Sequence, residues 1–271
     1  MKNIVLFLLI LLSDVLFGQN KLFIYEYKLI PDSTNNNQIE KQIMVLNIHE
    51  NKSEFYNLDN YQSDSTLLAD SKKGVFSMPP DKEMIRERIN KSQNSKTVEY
   101  ITILSDTKYF VKQNVDLNWH LSPETDHILG YEVQKATVEF GGRNWVAWFS
   151  KDIQIHDGPY KFFGLPGLIL KIEDITKSHI FEIKGVKNST ANFKYPELEN
   201  YQKANLTYPQ FVKAYKNYRK NPMADSVGLF PDQTDSSGKF VRGEEIFKEY
   251  EKSALKRIAK DNNIIEIDWL R

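Results

Sequence analysis

The chain has 271 residues, a formal net charge of +0 and no cysteine. The missing thiols exclude disulfides, thiolate nucleophiles, a cysteine-borne lipid and thiolate-bound metal centres. The balanced charge removes the electrostatic case for nucleic acid or an anionic surface as partner.

Residues 1–18 have the layout of a secretory signal peptide. Lys2 supplies the positive charge, and residues 4–12 are an unbroken apolar run. That run is too short for a bilayer span, which needs roughly 20 residues. Cleavage is expected after Gly18, although Leu16 stands where a small residue is preferred. No second long apolar run follows, so the expectation is export to the periplasm or the medium, with no transmembrane span after cleavage. Residues 19–271 read as a single β-rich domain, since about 250 residues is within reach of one core. Aromatics at 13%, with 14 Tyr and 16 Phe, favour strands.

Residues 21–30 alternate, placing Phe23, Tyr25, Tyr27 and Leu29 on one face of a strand. After a polar turn at 31–38, residues 39–48 and 53–58 read as two more strands, and the short polar links imply an antiparallel meander. Residues 63–73 predict a short helix with Leu67 and Leu68 inward. Residues 81–90 predict another, from Met84, Ile85, Arg88 and Ile89 at helical spacing. Strand patterning returns at 98–104, 108–112 and 117–121. Residues 130–140 and 145–149 form a hairpin around Gly141-Gly142, because glycine accepts positive φ freely. Residues 168–172 and 180–183 form a further pair. Helices are predicted over 207–219 and over 243–260, the latter with an apolar stripe of Ile246, Phe247, Tyr250, Leu255 and Ile258. A polar insertion at 222–238 lies between them, and 264–267 predicts a last edge strand. The fold class expected is α+β, mainly antiparallel β: an extended meander sheet or half-barrel with helices packed on one face.

The segment from Gly158 to Leu170 reads Gly-Pro-Tyr-Lys-Phe-Phe-Gly-Leu-Pro-Gly-Leu-Ile-Leu. Before it come an Ile-x-x-x-x-Gly-Pro approach (Ile153 to Pro159), a Trp- and Phe-rich strand (Trp145 to Phe149) and Ile128-Leu-Gly-Tyr131. On these features the chain resembles the GLPGLI family, exported proteins of the Bacteroidota without an established activity. The resemblance is dense over 128–174 and loose elsewhere. A more distant fold-level similarity is to the half-barrel of periplasmic lipoprotein carriers, which bind acyl chains in an apolar concavity.

Two readings of Gly164, Leu165, Pro166, Gly167 and Leu168 stand open. They form a bent loop that plugs leucines into the core, or they line a ligand groove that the glycines let something approach. Arg143 suits an anionic ligand or a neighbouring carboxylate. Trp145 and Trp148 fall on opposite strand faces, one for the core and one for a ligand or partner. Asp152, His156 and Asp157 could serve as base or metal ligands, but no Gly-x-Ser-x-Gly or His-Glu-x-x-His accompanies them. His120 and His127 flank a turn with Glu124 and Asp126, a weak cation site or plain surface. Asp-Ser/Thr triplets at Ser33, Ser65 and Ser226 resemble the O-glycosylation sequon of the same phylum. No catalytic residue, metal or cofactor is expected. The expected function is non-enzymatic binding of an apolar ligand, a lipid or an envelope protein. The alternatives are an accessory component of an outer-membrane assembly and, third, a metal-dependent hydrolase.

Overall fold

The computed structural model describes residues 20–80, 84–93, 95–189, 193–198, 201–234 and 236–271. The leader expected at residues 1–18 lies outside them. The chain runs through β1 (Asn20–Leu29), β2 (Glu40–His49), β3 (Lys52–Asn57), α1 (Leu58–Lys72), β4 (Arg88–Ser92), β5 (Thr97–Leu104) and β6 (Thr107–Asn114). It continues through β7 (His120–Ile128), β8 (Tyr131–Phe140), β9 (Arg143–Ser150), β10 (Leu168–Asp174), β11 (His179–Ser189) and β12 (Gln202–Thr207). Last come α2 (Tyr208–Lys220), the two-residue strands β13 (Gln233–Thr234) and β14 (Phe240–Val241), and α3 (Gly243–Lys260). A 3₁₀ turn at Ile267–Leu270 follows.

Twelve strands form one open sheet in the order β12-β6-β5-β4-β3-β2-β1-β11-β10-β9-β8-β7. Two antiparallel meanders, β1 to β6 and β7 to β11, are thus sewn together by β1 pairing with β11 along its whole length. The mainly antiparallel sheet expected from the alternation is present. The exception is β12, which lies parallel to β6 at the edge. No helix among the described residues is long and apolar enough to cross a membrane.

One face of the sheet carries the main core. Phe23, Tyr25 and Tyr27 of β1 point into it beside Phe55, Ile89, Tyr100, Trp145, Phe149 and Phe181. Phe211 and Tyr215 of α2 and Trp269 of the last turn cover part of it. The next residue along β3, Tyr56, points to the other face by the period-two rule. There it joins Val45 and Tyr195 in a smaller cluster against Leu58 and Tyr61 of α1. The first helix and the second therefore sit on opposite faces.

Four elements depart from the sequence reading. The helix expected at 63–73 begins at Leu58, because the Asn57 side chain accepts the Asn60 N–H at 2.8 Å and caps it. The helix expected at 81–90 falls partly outside the described residues, and those described, from Met84 on, are not helical: Arg88–Ser92 is strand β4, between β3 and β5. Burying Ile89 between Phe55 and Tyr100 outweighs a short helical spacing. The strand expected at 117–121 lies later, at His120–Ile128, so His120 and His127 stand at the two ends of β7 and flank no turn. The edge strand expected at 264–267 is a 3₁₀ turn from Ile267, preceded by chain held through side chains of the sheet.

Candidate functional site

The long connection from β9 to β10, residues 151–167, contains most of the Gly158–Leu170 motif. It folds over the core face and is tied to distant strands. Lys91 of β4 forms a buried ion pair with Asp157 and donates to the carbonyls of Gly158 at 2.7 Å and Tyr160 at 3.1 Å. Ser53 of β3 donates to Asp157 at 2.5 Å. The Tyr25 hydroxyl donates to the Ile169 carbonyl at 2.7 Å, and the Trp119 indole to Phe163 at 2.9 Å. Phe162, Leu165, Leu168 and Ile169 are buried in the core. Gly167 is required by a close approach: a Cβ there would lie 2.0 Å from the Ser150 carbonyl oxygen. The loop therefore covers part of the core face of the sheet.

Beside the loop, part of the same face stays open. A cavity of about 920 Å³ lies between the sheet, α2, the end of α3 and the final segment. Its floor is apolar and aromatic, including Tyr27, Met44, Phe55, Ile89, Tyr100 and Phe181. Polar groups enter from Glu87, His179, Asn263 and Glu266.

Two buried polar clusters border this space. Lys161, in the middle of the motif, is fully buried and ion-paired with Glu266, and it donates to Gln113 at 2.6 Å. Its ammonium lies 4.5 Å from the ring centre of Tyr100, 5.3 Å from Tyr160, 5.4 Å from Trp269 and 5.7 Å from Tyr208. Tyr160 and Tyr208 both donate to Glu266, at 2.7 and 3.0 Å. Burial pushes the Lys161 ammonium down from its usual range, and the Glu266 carboxylate opposes that.

In the second cluster, His179 lies 2.7 Å from the Tyr27 hydroxyl through Nδ1 and 2.7 Å from the Asn263 carbonyl through Nε2. A carbonyl only accepts, so Nε2 carries the proton and Nδ1 accepts from Tyr27. Burial and the nearby Arg143 charge hold this imidazole down to about 4, so it is neutral at pH 7.

The sequence-derived candidates fall as follows. The Arg143 guanidinium bonds to the carbonyls of Ile264 and Ile265, to Asn263 and to Asp174, fastening the final segment to β9. Trp145 is fully buried and Trp148 half-buried, on opposite faces. Gly164 has φ +91° with open space around it, while Leu165 and Leu168 are in the core. Pro166 is exposed, and none of these motif residues lines the cavity. Asp152 and His156 are exposed, whereas Asp157 turns inward to Lys91, so the three do not converge. Ser33 donates to Asn262, and Ser65 to the Tyr61 carbonyl within α1; Ser226 ends a 3₁₀ turn. Sequence reasoning missed Tyr160, Lys161, Glu266 and Glu87. The only signal for Lys161 was a lone cation inside an apolar run.

Residues 141–171 match the sequence profile of a family described as a protein of unknown function, Porph_ging. The matched span holds the Gly141-Gly142 turn, β9 and the whole plug. No curated protein matches the chain. Among solved structures it is similar to PNGF-II in its P21 crystal form, with 18% identity and a TM-score of 0.50, over 74% of this chain and 34% of that one. The C2 form of PNGF-II gives 17% identity and a TM-score of 0.51, over 74% and 33%. The chain spans about a third of the length of PNGF-II, and the likeness is one of fold.

Proposed function

We propose that this is an exported envelope protein of the GLPGLI type that holds an amphipathic ligand in the concavity of its sheet without transforming it. The observation that carries this reading is the cavity of about 920 Å³, whose lining combines apolar and aromatic side chains with polar ones. Sites for small molecules commonly measure ~300–1,000 Å³ and combine an apolar lining with a few placed polar groups. The plug of residues 151–167 supports the reading through Tyr160, which lines the cavity and donates to Glu266. The test is native mass spectrometry of protein purified gently from its host envelope. A one-to-one adduct of single-chain amphiphile mass is expected. A bare mass, together with no displacement of a bound fluorescent fatty amine or fatty acid, would end the reading.

A second reading, an accessory component of an outer-membrane assembly, is favoured by one observation. The loop after α1 presents Phe76 at 87% exposure and Met78 at 72%, beside Pro80 at the cavity rim. A photo-crosslinker in place of Phe76 should capture one envelope protein in cells. Crosslinks no different from those of an exposed polar position would dismiss it.

A further inference from the structure

The cavity contains one carboxyl group whose surroundings differ from those of its neighbours. Glu266 has Lys161, Tyr160 and Tyr208, and Asp261 has Arg219 at 3.3 Å. Glu87 also lines the cavity, and its carboxyl makes no ion pair or side-chain hydrogen bond among the described residues; it accepts the N–H groups of Arg86 and Glu87 and feels the Arg86 charge at longer range. Both flanking arginines are committed elsewhere. Arg86 donates to the Tyr201 hydroxyl at 3.2 Å and Arg88 to Glu197 at 2.7 Å. The exposed Arg257 and Lys260 stand at the rim.

The ring lining matters as much as the charge. Tyr27, Tyr100, Tyr160, Tyr215 and Trp269 border the same space. Glu87 lines this space with them, and the hydroxyls of the first four all feel its charge. Aromatic faces with a nearby carboxylate are the chemistry that holds an ammonium group. The protein uses that solution once already, with its own Lys161 among four rings and against Glu266. Glu87 repeats the carboxylate in a cavity lined by three of those four rings, Tyr100, Tyr160 and Trp269.

Resting on the binding reading above, we propose that the cavity takes an amphiphile with a cationic ammonium head, and that Glu87 is the residue that recognises the head. The apolar chain of such a ligand lies along Met44, Phe55, Ile89 and Phe181. An anionic head beside the Glu87 carboxylate would set two like charges against each other. Burial already pushes the Glu87 carboxyl above its usual range, with Asp261 adding to the rise, and an arriving cation supplies the opposite field.

The test is calorimetric titration of the whole chain with decyltrimethylammonium and with decanoate, each below its micellar concentration. The cation should bind at least ten-fold more tightly than the carboxylate of equal chain length. Glu87→Gln should reduce that preference at least ten-fold, and Glu87→Asp, which keeps the charge, should retain most of it. The melting transition of each variant checks folding, and the wild-type preference decides alone if a variant does not fold. Tighter binding of decanoate, or a preference that survives Glu87→Gln, overturns this inference and leaves the binding reading standing. Binding of neither probe overturns both.

Discussion

Lys161 and Glu266 form an ion pair across 105 residues of sequence, with both side chains at most 1% exposed. One comes from the motif and the other from the final segment, so the pair fastens the plug to the end of the chain. Removing one partner of such a pair leaves a buried charge without compensation, at a cost of about 3–5 kcal/mol. Glu266→Gln should therefore lower the unfolding free energy obtained from urea denaturation by that amount. Lys161→Met combined with Glu266→Gln should lose less than the two single losses added together. Strict additivity would show that the two groups do not act as a pair.

The neutral His179 gives a pH dependence of definite sign. Its folded-state value of about 4 lies below the 6.5 of a free imidazole, so the unfolded chain takes up more protons between those values. The stability it contributes is complete above pH ~6.5 and is lost as the pH falls toward 4, by about 3 kcal/mol at most. His179→Gln can still donate to the Asn263 carbonyl and does not titrate. Denaturation curves at pH 7 and pH 5 should converge for the variant relative to wild type. An unchanged difference would refute the assignment.

The two glycines of the hexapeptide should differ in tolerance. Gly164 has φ +91° but open space, so Gly164→Ala should cost about 1–2 kcal/mol of backbone strain. At Gly167 the added Cβ meets the Ser150 backbone at 2.0 Å, and the β9–β10 connection must shift to admit it. Gly167→Ala should lower the melting temperature clearly more than Gly164→Ala; equal losses would mean that the close approach is not rigid.

Arg143 is the clamp on the final segment. Lysine keeps the charge but cannot reproduce the fork that reaches Asn263, Ile264 and Asp174 together. Arg143→Lys should cost about 2–3 kcal/mol and release residues beyond 262 to limited proteolysis. Wild-type resistance of that segment would place the holding force in Trp269 instead.

The strands were legible where alternation ran long enough to fix a face. Phe23, Tyr25 and Tyr27 declare β1, and Gly141-Gly142 declares the turn between β8 and β9. β4 was not legible, because Arg88–Ser92 is a strand only by virtue of its neighbours β3 and β5. The parallel return of β12 depends on a pairing with β6 some hundred residues earlier, which no local pattern records. The candidate site was hidden for the same reason. Glu87 falls in a stretch patterned like a helix, and the partner of Lys161 lies at the far end of the chain. What the sequence did show was the plug, since Gly158 to Leu170 departs from ordinary composition.

An open sheet of twelve strands leaves two rows of unpaired backbone groups at its margins, which are templates for fibrous self-assembly in many proteins. β7, at one margin, is largely exposed along its length. Its ladder with β8 slips between Leu121 and Thr125, where Pro123 offers no N–H and Glu124 adds charge. A second molecule trying to extend the sheet there would meet a missing donor, a bend and an acidic group together. The irregularity that breaks the pattern of β7 thus makes this border a poor template for a further strand.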